Sequence, residues 1–124
     1  MRRRVLESWF LLLYIDWLAY WGGFSRVHKA VSQYTGQRRK GPVNDENSLS
    51  RAMDLACVFY FKRVLCLQRS AALAVLLRRH GWNGELVIGA QLLPFLSHSW
   101  VELEGRVVND KPNVIQVFQI LDRC

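Results

Sequence analysis

The segment CLQRSAALAVLLRRHGWNGELVIGAQLLPFLSHSWVELEGRVVND, residues 66–110, changes its hydrophobic period partway, and that change narrows the folds open to the chain. From Cys66 to about Arg79 it is rich in Ala and Leu, strong helix formers. Gly81 follows Arg78-Arg79-His80, the place where a glycine commonly closes a helix. Beyond it the period falls from 3.6 to 2. Glu85–Gln91 is rich in β-formers, and Ser99–Leu103 alternates, with Val101 and Leu103 on one face and Glu102 on the other. Glu104-Gly105 makes a turn, and Arg106–Val108 returns as a strand. Val114–Leu121 is apolar enough for either a strand or a short helix.

Upstream the pattern is helical. Leu6, Phe10, Leu13, Trp17 and Tyr20 or Trp21 recur at helical spacing from Val5 to about Trp21, while Trp9, Leu12 and Leu18 make the remaining faces apolar too. Such a helix needs cover on most sides, either from the core or, over part of its aromatic surface, from a partner. Gly22-Gly23 breaks it, and a second short helix is expected over Val27–Tyr34. The stretch GQRRKGPVNDEN, Gly36–Asn47, reads as a loop. Ser48 or Ser50 is expected to cap the next helix, in which Leu49, Met53, Ala56 and Tyr60 share a face and Cys57 lies among apolar neighbours as a core residue. Helices first and an antiparallel sheet afterwards define an α+β layout. With 124 residues the chain makes one domain, a helical region and loop over 1–47 followed by a core over 48–124.

Charge and cysteine usage exclude several classes. The net charge is +7, and Lys/Arg outnumber Asp/Glu in both parts of the chain, eight to four over residues 1–50 and nine to six over 51–124. Arg2–Arg4 and Arg38–Lys40 are the densest runs, and neither amounts to a basic arm. An adaptor that grips peptide or nucleic acid through those runs is one reading, but no nucleic-acid motif accompanies them, and the aromatics gather in an apolar helix instead of interleaving with the basic residues. Three cysteines, Cys57, Cys66 and Cys124, with no C-x-x-C spacing, fit neither a disulfide scaffold nor a zinc ribbon. They point to a reducing compartment, the cytoplasm. Cys124, at the last position, is expected to be frayed and inert. The basic N-terminus imitates a signal peptide, but its uninterrupted apolar run, Trp9–Ile15, is seven residues against the ~20 that span a bilayer.

Cys66 is the residue with chemistry to offer. At the start of a helix its sulfur lies beside unpaired first-turn N–H groups, a setting that favours the attacking thiolate, with Arg63 and Arg69 adding positive charge. His98 is the candidate base that takes the proton and returns it to a leaving amine, and Asp110 the candidate that orients the imidazole. Hairpin register bears on this set. A three-residue loop, Leu103–Gly105, puts His98 across from Asp110, as a bulge would. A strict two-residue turn at Glu104-Gly105 puts Lys111 there and turns Asp110 to the other side. The plainer readings are a buried thiol, a polar histidine and an aspartate that starts a turn. No ligand spacing supports a metal site from these three residues, and no cofactor is called for.

CLQRSAALAVLLRRHGWNGELVIGA followed by HSWVELEGRVVND resembles the transglutaminase-like cysteine protease family of lasso-peptide biosynthesis. The resemblance lies in a Cys-Leu-x-x-Ser opening to a leucine-rich helix, a His-x-Trp-Val-Glu strand, a glycine turn and an Asn-Asp pair. It covers positions 66–110, about a third of the chain. It implies a papain/transglutaminase-like fold, with the nucleophile at a helix N-terminus packed on a small antiparallel sheet. It also implies a leader peptidase that cuts a ribosomally made precursor peptide and frees the core for a separate ATP-dependent cyclase. By the same resemblance Cys66 is the nucleophile, His98 the base and then acid, and Asp110 the orienter. A small leader-binding protein is the implied partner, with the aromatic helix (Trp9, Phe10, Leu13, Trp17) as the surface for it. Papain-like relatives place an oxyanion-hole glutamine six residues before the nucleophile, where this chain has Tyr60. The Cys66 backbone N–H supplies one donor, and Tyr60 and Gln68 are the side chains to try for the second. The residues alone specify acyl transfer. An amine acceptor in place of water would make the protein an acyltransferase or transglutaminase.

Overall fold

The computed structural model describes residues 2–34, 46–61, 63–92, 95–103, 105–109, 114 and 118–124. Three helices, α1 (Arg2–Gln33), α2 (Glu46–Phe59) and α3 (Cys66–Arg79), precede four strands, β1 (Gly84–Leu92), β2 (Phe95–Leu103), β3 (Arg106–Val107) and β4 (Gln119–Arg123). The strands pair antiparallel in one sheet of order β3-β2-β1-β4. The α+β expectation holds.

Helix α3 is the centre. Every residue from Ser70 to Leu77 is buried, because α1 and α2 cover one side of it and β1 and β2 the other. Its alanines, Ala71, Ala72 and Ala74, let neighbours approach closely, while Leu73, Leu76 and Leu77 fill the gaps. They join Leu12, Ile15 and Leu18 of α1, Leu49 and Met53 of α2, and Leu86 and Val101 of the sheet in one cluster. The helix closes as its glycine implied. Gly81 takes φ +88°. The Trp82 N–H then donates to the Leu77 carbonyl (2.9 Å) and the Gly81 N–H to that of Arg78 (3.3 Å), a Schellman closure. The Arg78 guanidinium donates to the carbonyls of Val31, Tyr34, Gly84 and Cys124, tying the end of α1 and the last residue to the start of β1.

Several sequence expectations need correction. The face Leu6, Phe10, Leu13, Trp17, Tyr20 and Trp21 is exposed, and the buried positions of α1 are Ser8, Leu12, Ile15, Leu18, Val27 and Val31. Apolar spacing marked both faces, and only the packing partner chose between them. The break at Gly22-Gly23 does hold: Gly23, at φ 64°, ψ −157°, is non-helical and kinks α1, and a second helical limb follows it to Gln33. Helix α2 begins at Glu46, so Ser48 and Ser50 lie inside it and neither is its cap. Its face Leu49, Met53, Ala56 and Tyr60 is buried as expected. Cys57 is only half-buried against the core, and that burial pushes its thiol up. Cys124 is not frayed: it exchanges two backbone hydrogen bonds with Leu86 (2.8 and 2.9 Å) and is half-buried. The undecided segment 114–121 ends in β4, and residues 115–117 lie outside the described residues. The loop expected at Gly36–Asn47 also falls largely outside them. Among the described residues no helix is long and apolar enough to cross a membrane.

Candidate active site

Leu65 precedes α3 in an extended conformation (φ −82°, ψ 162°) and supplies no side-chain cap. Cys66 therefore sits at an uncapped helix start, exposed, with first-turn amides that have no intrahelical acceptor. The side chain that meets its sulfur is Ser99, whose hydroxyl donates to Sγ at 3.7 Å. Ser99 belongs to a polar chain along the edge of β2. The Ser70 hydroxyl donates to the Ser99 carbonyl (3.1 Å), Asn109 Nδ2 donates to the Ser70 hydroxyl (3.1 Å), and Asn109 Oδ1 accepts from the Val101 N–H (2.8 Å).

His98 is the adjacent residue and faces the other way. Its ring packs against Phe118 (5.3 Å between centroids) and Trp100 (6.0 Å), on the side of the sheet where Val87, Trp100 and Val114 form a second small core. Strand alternation accounts for this. Ser99 shares a face with Val101, which is packed under α3, whereas His98 shares one with Trp100. Gly89 pairs with His98 across β1 and β2, and its missing Cβ makes room for the Trp100 ring. Behind Trp100, its indole N–H donates to Glu102 (2.9 Å), a buried carboxylate that also accepts from Arg123 (2.7 Å). The structure thus brings Cys66 to β2 at residue 99. Among the described residues no hydrogen bond joins Cys66 to His98.

The hairpin register is now fixed. Glu102 pairs with Val107 and Leu103 with Arg106, the two-residue turn, with Gly105 at φ +83°. The odd offset that would set His98 across from Asp110 is absent from the paired part. The described strand ends at Val107, and the chain bends at Val108 and Asn109, where the Val108 N–H still donates to the Val101 carbonyl (3.0 Å). Asp110 itself lies outside the described residues.

Tyr60 and Gln68 line one small cavity of about 40 Å³ beside the start of α3, with Leu12, Asp16, Arg63 and Leu65. The Tyr60 hydroxyl donates to Asp16 (3.2 Å), and burial together with the Asp16 charge pushes it up to about 12. That proton is committed to Asp16. Gln68 Oε1 is buried with no hydrogen-bond partner among the described residues. No group of three His, Cys, Asp or Glu side chains suited to a metal occurs among the described residues. Sequence reasoning missed Ser99, although the alternation that marked Val101 and Leu103 as one face already placed Ser99, and not His98, on it. Ser70 and Asn109 carried no signal, since each acts through contacts between distant segments.

An uncapped helix opening on an exposed cysteine, laid over a small antiparallel sheet, is the arrangement of a papain-like or transglutaminase-like protein. The model of the transglutaminase-like superfamily matches residues 9–123, and the chain belongs to that superfamily. The microcin J25-processing protein McjB of Escherichia coli is 33% identical over 81 residues, which cover 63% of this chain and 39% of that protein. The chain thus spans about two fifths of that relative's length. No solved structure matches it.

Proposed function

We propose that the chain is a cysteine peptidase that removes the leader from a lasso-peptide precursor. The observation that carries this reading is Cys66, an exposed thiol at the uncapped start of a buried helix, in a member of the transglutaminase-like superfamily that is also similar to a microcin-processing protein. Cys66 attacks the peptide carbonyl, and its own backbone N–H, with Gln68 in place of the Tyr60 hydroxyl that Asp16 holds, faces the developing oxyanion. The amine leaves with a proton from His98, and water then resolves the thioester. Asp110 orients His98.

The imidazole must come round to the Cys66 side for this chemistry. Among the described residues β3 pairs with β2 only at Glu102 and Leu103, and residues 97–99 have a strand partner on the β1 side alone. The reading assigns a turn of this segment, exchanging Ser99 for His98 at the sulfur, to substrate or partner binding. Catalytic hydrogen bonds commonly tighten only in the complex. Phe10, Leu13 and Trp17 offer an exposed surface for a leader-binding protein. Trp9 contributes less, since it is packed against the core and its indole N–H donates to the Phe59 carbonyl (3.4 Å). Association with an ATP-dependent cyclase belongs to the same reading.

The test is mass spectrometry of a precursor peptide incubated with wild type and with Cys66→Ala, each with and without a leader-binding protein. One leader cut by wild type and none by the variant is the expected result. Equal cutting by both removes Cys66 as nucleophile, and a product carrying an added amine makes the protein an acyltransferase.

A further inference from the structure

We propose that the elbow of α1 is a binding groove for an acidic peptide segment, one that sets carboxylates on Arg26 and Lys29 and an apolar side chain between the rings of Trp17 and Tyr34. This proposal is independent of the peptidase reading. It begins from the Gly22-Gly23 pair, which the chemistry at Cys66 does not use.

Gly23 holds φ 64°, ψ −157°, a conformation that side-chain-bearing residues rarely adopt, and it bends α1 into two limbs. Gly22 has a different task. A Cβ there would stand 2.6 Å from Cβ of Arg26, so the bare backbone is what lets the Arg26 side chain lie across the bend. Between the limbs runs a groove of about 410 Å³, within the range of small-ligand and peptide-side-chain sites. Tyr14 and Trp17 line it from the first limb, Arg26, Lys29 and Gln33 from the second, and Tyr34 at its end.

Charge identifies the occupant. Among the described residues the groove has two cations and no carboxylate in its lining, and neither Arg26 nor Lys29 is in an ion pair. Several other cations find acids: Arg4 and Arg79 pair with Glu7, Arg69 with Asp54, and Arg123 with Glu102. Trp17 is 57% exposed and Tyr14 49%, large apolar surfaces left open beside unneutralised charge. A ligand that carries carboxylates next to an apolar side chain matches both features, and the net charge of +7 steers such a ligand inward. The site is an open concavity between two helical limbs. That shape suits a chain better than the flat surface of a bilayer.

The experiment uses the full chain, labelled with nitrogen-15, and follows the Trp17 indole N–H resonance, assigned with Trp17→Phe. The probes are two ten-residue peptides of the same pattern, one with Asp and Glu around a central Leu and Phe, the other with Lys at every acidic position. The acidic peptide is expected to shift the Trp17 signal saturably and the basic one to leave it unmoved. The double variant Arg26→Glu/Lys29→Glu, at exposed positions that leave the far-UV circular dichroism unchanged, is expected to bind the acidic peptide at least tenfold more weakly and to acquire binding of the basic one. No shift with the acidic peptide at millimolar concentration overturns the proposal, as does equal binding by the double variant. Vesicles of phosphatidylglycerol that move the same signal where the peptide does not would also overturn it and make the elbow a membrane contact.

Discussion

The two faces of β2 are built on different terms. Toward the helices, Ser99, Val101 and Leu103 meet a broad core shared by all three helices, and the functional atom there, the Cys66 sulfur, is exposed at the rim. Away from them, His98, Trp100 and Glu102 meet a small cover formed by Val87, Val114 and Phe118, in which one tryptophan and one buried carboxylate supply most of the bulk and polarity. The lesson is that nucleophile and proposed base, adjacent along the fold, are held by separate pieces of packing. The first piece spreads its stability over many side chains, whereas the second concentrates it in Trp100.

That contrast is testable, beginning with the greatest effect. Trp100→Ala removes the one fully buried ring that the second face has among the described residues and is expected to cost about 3–5 kcal/mol, measured by urea unfolding. Should it cost no more than a surface change, the second face is not a core at all. Gly89→Ala places a Cβ 2.7 Å from the Trp100 ring and 2.9 Å from Phe118 Cβ, so about 1–3 kcal/mol of overpacking is expected, together with displaced His98 ring signals in the NMR spectrum. Glu102→Gln keeps the shape but withdraws the charge that Arg123 and the Trp100 indole share. A loss of about 1–3 kcal/mol is expected, and an unchanged midpoint would mean that solvent already satisfies both donors. Ser99→Ala sharpens the comparison from the other side. It is expected to cost about 1 kcal/mol or less while changing the rate at which iodoacetamide alkylates Cys66, and an unaltered rate would deny the Ser99 hydroxyl any hold on the sulfur.

The smallest effect concerns pH, and it falls on the helical side. Burial raises the Glu7 carboxyl, but hydrogen bonds from Arg79 and His80 and the charges of both outweigh it and hold the group below the ordinary carboxylate range. A depressed carboxylate contributes stability above its unfolded value and loses it as pH falls through the folded one. Acid titration of the wild-type midpoint should therefore show a decline at and below the ordinary carboxylate range that Glu7→Gln lacks. Parallel curves for the two proteins would remove Glu7 from the account.

How much was legible in advance can be argued from particular residues. The extent of α3, its Gly81 closure, the strands on either side of Gly105 and the buried face of α2 were all visible, because local propensity and period act through neighbours along the chain. Cys66 was visible for the same reason, since a helix start is a local event. The exposed side of α1 was not. Leu6, Phe10, Leu13 and Trp17 have the same spacing as a core face, and burial went instead to Leu12, Ile15 and Leu18 because those positions meet α3. Cys124 looked frayed because nothing near it in sequence holds it, whereas Leu86 and Arg78 do.

By itself, then, the sequence determined the order and kind of the elements from α1 to β3, the glycine at each bend and the thiol at the opening of α3. All of these depend on interactions within a few residues. Tertiary structure alone decided that the hairpin keeps the two-residue register, that Ser99 rather than His98 meets the sulfur, and that α1 turns its aromatic side outward around a cationic elbow. Those outcomes were settled by which surfaces pack together, a competition between segments distant in the chain that no local pattern records.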